Sequence, residues 1–141
     1  MAPAPPAGAI LFQMDKADVQ RIMQHDLSMI GSDGLPHDRF PRVLGHYSRD
    51  LKLFSLETAV HKMTGRTAAV FGLADRGVIR TGSFTDLVLF DADTIKDMAD
   101  FDHPTRPAEG IIETRINGQS AYAGSTGVTA ARAGRLITRS T

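Results

Sequence analysis

Along this 141-residue chain the apolar residues keep helical spacing as far as Gly72, and then change to the runs and alternations of β-structure. Before Gly72, Val19, Ile22 and Met23, and later Leu56, Ala59, Val60 and Met63, recur every three or four positions, as on one face of a helix. After it, Leu87 to Phe90 is continuously apolar, and IIETRINGQSAYAG alternates around Asn117-Gly118, the strongest hairpin signal in the chain. A single switch of this kind predicts an α+β fold, with helices between residues 15 and 72 and an antiparallel β part after 77.

Local signals refine that plan. Asp15 is placed to cap a helix in DKADVQRIMQH. The apolar runs AILF (9–12) and SMIG (28–31) on either side read as strands, which suits a βαβ unit. RFPRVLGHYSRD is a polar helix or loop in which Pro41 limits where a helix can begin. Ser55 caps the clearest helix, LFSLETAVHKMTG, and Gly65 is expected to stop it; TAAVFGL forms a second short helix ending at Gly72. RGVIRTG, DLVLFDAD and GRLITR read as further strands, and the unbroken run of DLVLF is expected to be covered on both faces.

Composition narrows the function. Sixteen basic residues balance sixteen acidic ones, so the footprint of a nucleic-acid binder is missing and a membrane-surface role is unsupported. There is no cysteine, which excludes disulfides and thiolate metal ligands from this chain. No apolar stretch reaches the roughly 18 residues of a membrane span. The proline-rich start lacks a positive n-region, so residues 1–8 are expected to be a flexible lead and the protein cytoplasmic.

The candidate chemistry lies in MIGSDGLPHD. Asp33 follows an apolar run directly, the position at a strand's carboxyl end where α/β folds carry function, and Gly34 lets the backbone turn there. Its carboxylate can be a general base, a metal ligand or both, or it can cap a turn through its own backbone. Ser32, His37 and Asp38 are close enough in sequence to hydrogen-bond it; an exposed polar loop is the simpler alternative. The five histidines, at 25, 37, 46, 61 and 103, form no His-x-His or His-Glu-x-x-His pattern, so a complete metal site from this chain alone is not expected. Asp86, Asp91 and Asp93 fail the calcium-loop pattern and read as strand-end turns. No phosphate loop or G-x-G-x-x-G is present.

Taken together, AILFQMDKADVQRIMQHDLSMIGSDGLPHD, FPRVLGHYSRD, LFSLETAVHKMTGRTAAVFGLADRGVIRTGSFTDLVLFD and INGQ resemble the carboxyl-terminal part of N-acyl-D-amino-acid deacylases. These are the D-aminoacylases of the amidohydrolase superfamily, and the resemblance spans roughly residues 9 to 139. It implies the last βα units of a (β/α)8 barrel plus part of a small composite β-sandwich domain. It also implies zinc-dependent hydrolysis of an N-acyl-D-amino acid to a D-amino acid and a carboxylate. Asp33 matches the family's aspartate at the end of the eighth barrel strand, a general base and acid that can also contact a weaker second metal. Arg39 stands where a longer family segment carries an arginine that grips the substrate carboxylate; here it alone separates Asp38 from Phe40.

On this resemblance, residues 9–72 are the closing barrel units and 73–141 the β domain. The family's principal metal ligands, on earlier strands, have no counterpart here. The expected outcome is a truncated, catalytically silent portion of a hydrolase that binds no zinc by itself. The alternative is a non-catalytic structural or self-associating module. Uncovered strands such as SMIG and DLVLF favour homo-oligomers unless the chain's own helices cover them.

Overall fold

The computed structural model describes residues 14–31, 39–100 and 102–137, and for Arg39 its backbone. Helices occupy the first half and one antiparallel sheet the second, as the change of spacing predicts.

Helix α1 (Lys16–Gln24) begins where Asp15 accepts a hydrogen bond from the Ala17 N–H at 2.7 Å. Helix α2 (Arg39–Arg42) takes Pro41 within its first turn, where a missing N–H breaks no helical bond. It runs directly into a π-helix, Val43–Asp50, closed by the Leu51 N–H on the His46 carbonyl at 2.9 Å. Helix α3 (Leu56–Met63) starts on the Ser55 hydroxyl, which accepts from Thr58 N–H at 3.2 Å. Helix α4 (Gly65–Phe71) ends at Gly72, in the left-handed conformation at φ 72°.

Gly65 does not stop α3; it opens α4. Its role is close packing, since a Cβ there would stand 3.0 Å from His61 Nδ1 and 3.3 Å from Val78 Cγ1.

Strands β1 (Leu87–Phe90), β2 (Ile111–Ile116), β3 (Gln119–Ala123) and β4 (Gly127–Val128) lie in that order, each antiparallel to the next. The β2–β3 turn is Asn117-Gly118 with both φ positive, at 49° and 78°, as its sequence predicts. Asp86 fastens this turn to the start of β1: one carboxylate oxygen accepts the Asn117 N–H at 2.8 Å and the other meets Arg76 at 2.6 Å.

Three expected strands do not form among the described residues. Residues 28–31 make one backbone bond of the kind a strand would need, from Ile30 N–H to Lys62 O at the end of α3, and have no parallel neighbour among the described residues. Residues 76–82 are broken by Gly77 and Gly82, both at φ 85°. Residues 134–137 pair with nothing in the sheet, and Leu136 is 92 % exposed; β4 takes the outer position instead. AILF (9–12) lies outside the described residues. Nor is β1 covered on both faces: Val88 and Leu89, which as neighbours in a strand point to opposite faces, are 53 % and 56 % exposed.

The core joins the two halves through the loop after β1. Ile95 is completely buried and packs with Val43, Leu44 and Ala59. Its backbone comes so close to the helical half that a Cβ on Gly45 would stand 2.3 Å from its carbonyl oxygen. On the other side Gly110, at φ 83°, would place a Cβ 2.5 Å from the Ile95 Cα. Arg49 Nη1 donates to the carbonyls of Ala92, Asp93 and Ile95 at 3.3, 3.0 and 2.9 Å. Ile95→Ala should therefore lower unfolding free energy by about 2–5 kcal/mol, and Gly110→Ala should destabilise through both strain and overlap. Urea midpoints measure both; an unchanged midpoint for either variant contradicts this account of the core.

Candidate functional site

The candidate site begins at the carboxyl end of α1, where residues 25–31 lead toward Ser32 and Asp33. His25 closes α1, its N–H on the Ile22 carbonyl at 3.1 Å, and its Nδ1 accepts from Leu27 N–H at 3.2 Å. From α3, Lys62 reaches under this turn. Its Nζ donates to His25 O at 2.6 Å, Ser28 Oγ at 2.9 Å and Ser28 O at 3.5 Å. The Lys62 carbonyl accepts from Ile30 N–H at 3.2 Å and Thr67 Oγ1 at 2.9 Å.

Lys62 is 3 % exposed, an unusual setting for an ammonium group. Burial pushes its pKa below the ordinary lysine value; neighbouring Arg66 adds to the fall and Asp26 opposes it. None of the sequence motifs described above assigns it a role. The available signal was its place three residues after Ala59, on the same helical stripe. The predicted face of α3 does meet the core, with Ala59 buried and Leu56, Val60 and Met63 half-buried against it, and Lys62 extends the buried stripe beyond that prediction.

Elsewhere in the fold an open, largely apolar groove of about 1170 Å³ lies between the helices and the sheet. Leu44, Leu56, Val60 and Met63 line one wall and Val88, Phe90, Ile111 and Tyr122 the other. His61, Arg80 and Asp86 bring polar groups to it.

Of the residues selected from sequence, Ser32, Asp33, His37 and Asp38 lie outside the described residues. Arg39 opens α2. The four described histidines are dispersed. His25 ends α1, His46 lies edge-on to Tyr47 in the π-helix at 5.0 Å, His61 is exposed in the last turn of α3, and His103 pairs with Asp100 at 3.3 Å. Among the described residues no three His, Cys, Asp or Glu side chains gather as a metal site, so those residues do not fit a zinc centre. Asp91 serves a turn, accepting the Asp93 N–H at 2.9 Å. No helix among the described residues is long and apolar enough to cross a membrane.

Comparison with known proteins agrees with the resemblance read from the motifs. A sequence profile described as "Amidohydrolase family" matches residues 4–122. The chain is 54 % identical over 143 aligned residues to the D-aminoacylase of Alcaligenes xylosoxydans xylosoxydans, an alignment covering 95 % of this chain and 29 % of that protein. A crystal structure of D-aminoacylase superposes with a TM-score of 0.84 at 53 % identity, over 89 % of this chain and 28 % of that one. N-acyl-D-glutamate deacylase from Bordetella bronchiseptica, solved with zinc and a phosphonate mimic of the tetrahedral intermediate, superposes at 0.74 with 46 % identity, over 77 % and 25 % of the two chains. The chain belongs to the amidohydrolase family, and its relatives there are D-aminoacylases and N-acyl-D-amino-acid deacylases. It spans under a third of the length of the curated relatives it matches.

The buried ammonium makes a pH prediction. Between its lowered folded pKa and the ordinary value of about 10.4, the folded chain has released a proton that the unfolded chain still binds, so stability rises with pH. The wild-type chain should gain stability relative to Lys62→Met as the pH is raised from neutral into the alkaline range. Urea midpoints of the two proteins across that range measure the difference, and parallel curves would contradict it.

Proposed function

We propose that this chain is the carboxyl-terminal portion of a zinc-dependent amidohydrolase that converts N-acyl-D-amino acids to a D-amino acid and a carboxylate, and that alone it does not turn over. The observation that carries this reading is 54 % identity to a D-aminoacylase across 95 % of the chain. In this assignment residues 9–72 belong to the closing barrel units and 73–141 to a β domain. Asp33 takes a proton from the attacking water and delivers it to the leaving nitrogen, the exchange that amide cleavage requires. Ser32 and His37 hold its carboxylate in place, and Arg39 pairs with the substrate carboxylate. Zinc enters this reading through the zinc-bound Bordetella relative. With no donor set assembled among the described residues, the metal is held chiefly by groups outside them. Asp33 can be a weak ligand to a second ion.

The test is zinc content by elemental analysis with hydrolysis of N-acetyl-D-amino acids, for the chain alone and co-expressed with the part of the Alcaligenes D-aminoacylase that it does not cover. The expected results are substoichiometric zinc and no turnover alone, and turnover on co-expression that falls about 100-fold or more in Asp33→Ala. Stoichiometric zinc and turnover by the chain alone would refute its inactivity. Activity indifferent to Asp33→Ala would refute the role of that residue.

A second reading, a self-associating module, is favoured by β1. Its apolar side chains remain exposed at a sheet edge, beside an apolar groove, on a chain of zero formal net charge. Such an edge is a template for pairing, and neutrality removes the repulsion that would keep copies apart. The occupant is a second copy of this chain. Sedimentation velocity should show mass rising with concentration, and Leu89→Lys should suppress the rise; a monomer at every concentration would eliminate this reading.

A further inference from the structure

We propose that Lys62 is a positioning residue for residues 25–30, holding at two points the stretch that leads into Gly31, Ser32 and Asp33. The inference rests on the reading of Asp33 as the proton-transferring carboxylate. One point is the side chain, whose ammonium joins His25 O to both oxygens of Ser28. The second is the backbone, where the Lys62 carbonyl takes the Ile30 N–H. Between them the Ser28 hydroxyl turns back on the carbonyls of His25 at 2.8 Å and Met23 at 3.1 Å, so the turn after α1 is tied to itself and to α3.

Three features make this more than an ordinary buried side chain. Among the described residues helix α1 has no fully buried residue and makes no extensive contact with another helix or strand. Its apolar packing among those residues is half-buried Met23, with Ile30 beyond it, against the core cluster. The polar tie to Lys62 therefore sets its place. Burying a cation is costly, and an aliphatic side chain would fill the same space without that cost. The ammonium is useful here for its several donors, which a carbonyl-rich helix end can accept favourably.

Ile30, whose N–H is held, is three residues before Asp33 in the sequence, and on this proposal the hold at Ile30 serves the placement of that carboxylate. Proton transfer demands that the carboxylate lie within hydrogen-bond reach of the proton it takes, and misplacement of that order lowers turnover more than substrate binding.

The experiment compares the wild-type chain with Lys62→Met, Lys62→Arg and Ser28→Ala by residue-resolved amide exchange, with urea midpoints alongside. In Lys62→Met the Ile30 amide should exchange about tenfold faster or more, with the β2–β3 hairpin unchanged and the midpoint not lowered. Lys62→Arg, which retains charge and donors, should recover much of the protection. Ser28→Ala, which removes one acceptor, should show a smaller effect at the same amide and gives the answer if Lys62→Met does not fold. On co-expression with the uncovered part of the D-aminoacylase, Lys62→Met should lower kcat with KM little changed, and Lys62→Arg should restore it. Faster exchange throughout the chain with a lowered midpoint would reduce Lys62 to a purely structural residue and overturn the proposal. So would Ile30 exchange indifferent to every variant. Turnover surviving Asp33→Ala, with Ile30 still sensitive to Lys62, would refute the reading of Asp33 and the catalytic consequence, leaving the two-point hold intact.

Discussion

The backbone of residue 95 passes through a gap that two glycines keep open, and the union of helices and sheet depends on that passage. Gly45 on the π-helix and Gly110 before β2 each stand where any Cβ would overlap Ile95 backbone atoms. Once the strand-end loop is admitted, its carbonyls face inward, and Arg49 supplies a donor for three of them. The Ile95 side chain then fills the space among Val43, Leu44 and Ala59. Shape and polar satisfaction are met by the same few residues, which is what a buried loop requires. The π-helix lies on the same surface, with Gly45 and Arg49 one turn apart toward the loop.

A second tie, of a different kind, joins α1 to the helical half. Here a buried ammonium replaces apolar packing, and its cost is offset only by the acceptors gathered around it. The contrast bears on function. A helix seated by apolar area can slide with modest loss, whereas one seated by directed hydrogen bonds has one position. Residues 25–30 emerge from the second kind of attachment, and the proposed catalytic carboxylate follows them. The sheet half is built the other way, with local turn chemistry at Asn117-Gly118 and an edge strand left apolar and open.

Much of this was legible in the sequence, though unevenly. Caps at Asp15 and Ser55, the αL stop at Gly72 and the type I′ hairpin were readable because each depends on a few adjacent residues. The expected strands at 28–31, 76–82 and 134–137 failed because an extended run becomes a strand only with a ladder partner. In 76–82 two glycines at positive φ also break the run. The cover expected over β1 failed for a related reason: a continuous apolar run reports composition, not which segments pack over the two faces of the strand. The burial of Lys62 is not legible because charge in a helical pattern normally marks the solvated face, and only the turn at residues 25–28, which closes over its ammonium, reverses that expectation. As for the candidate site, its motif, GSDGLPHD, was recognised whole from residue identity and spacing, and that recognition rests on no coordinate.

By itself, then, the sequence determined the α+β order, the helix caps, the hairpin and membership of the amidohydrolase family. All of these are carried by short-range conformational preferences or by residue identity in a row. Only the tertiary structure decided that Gly45 and Gly110 admit the Ile95 backbone, that the buried stripe of α3 takes in a cation, and that Val88 and Leu89 of β1 stay exposed. Those outcomes depend on which segments far apart in the chain meet, and no local preference encodes the partner.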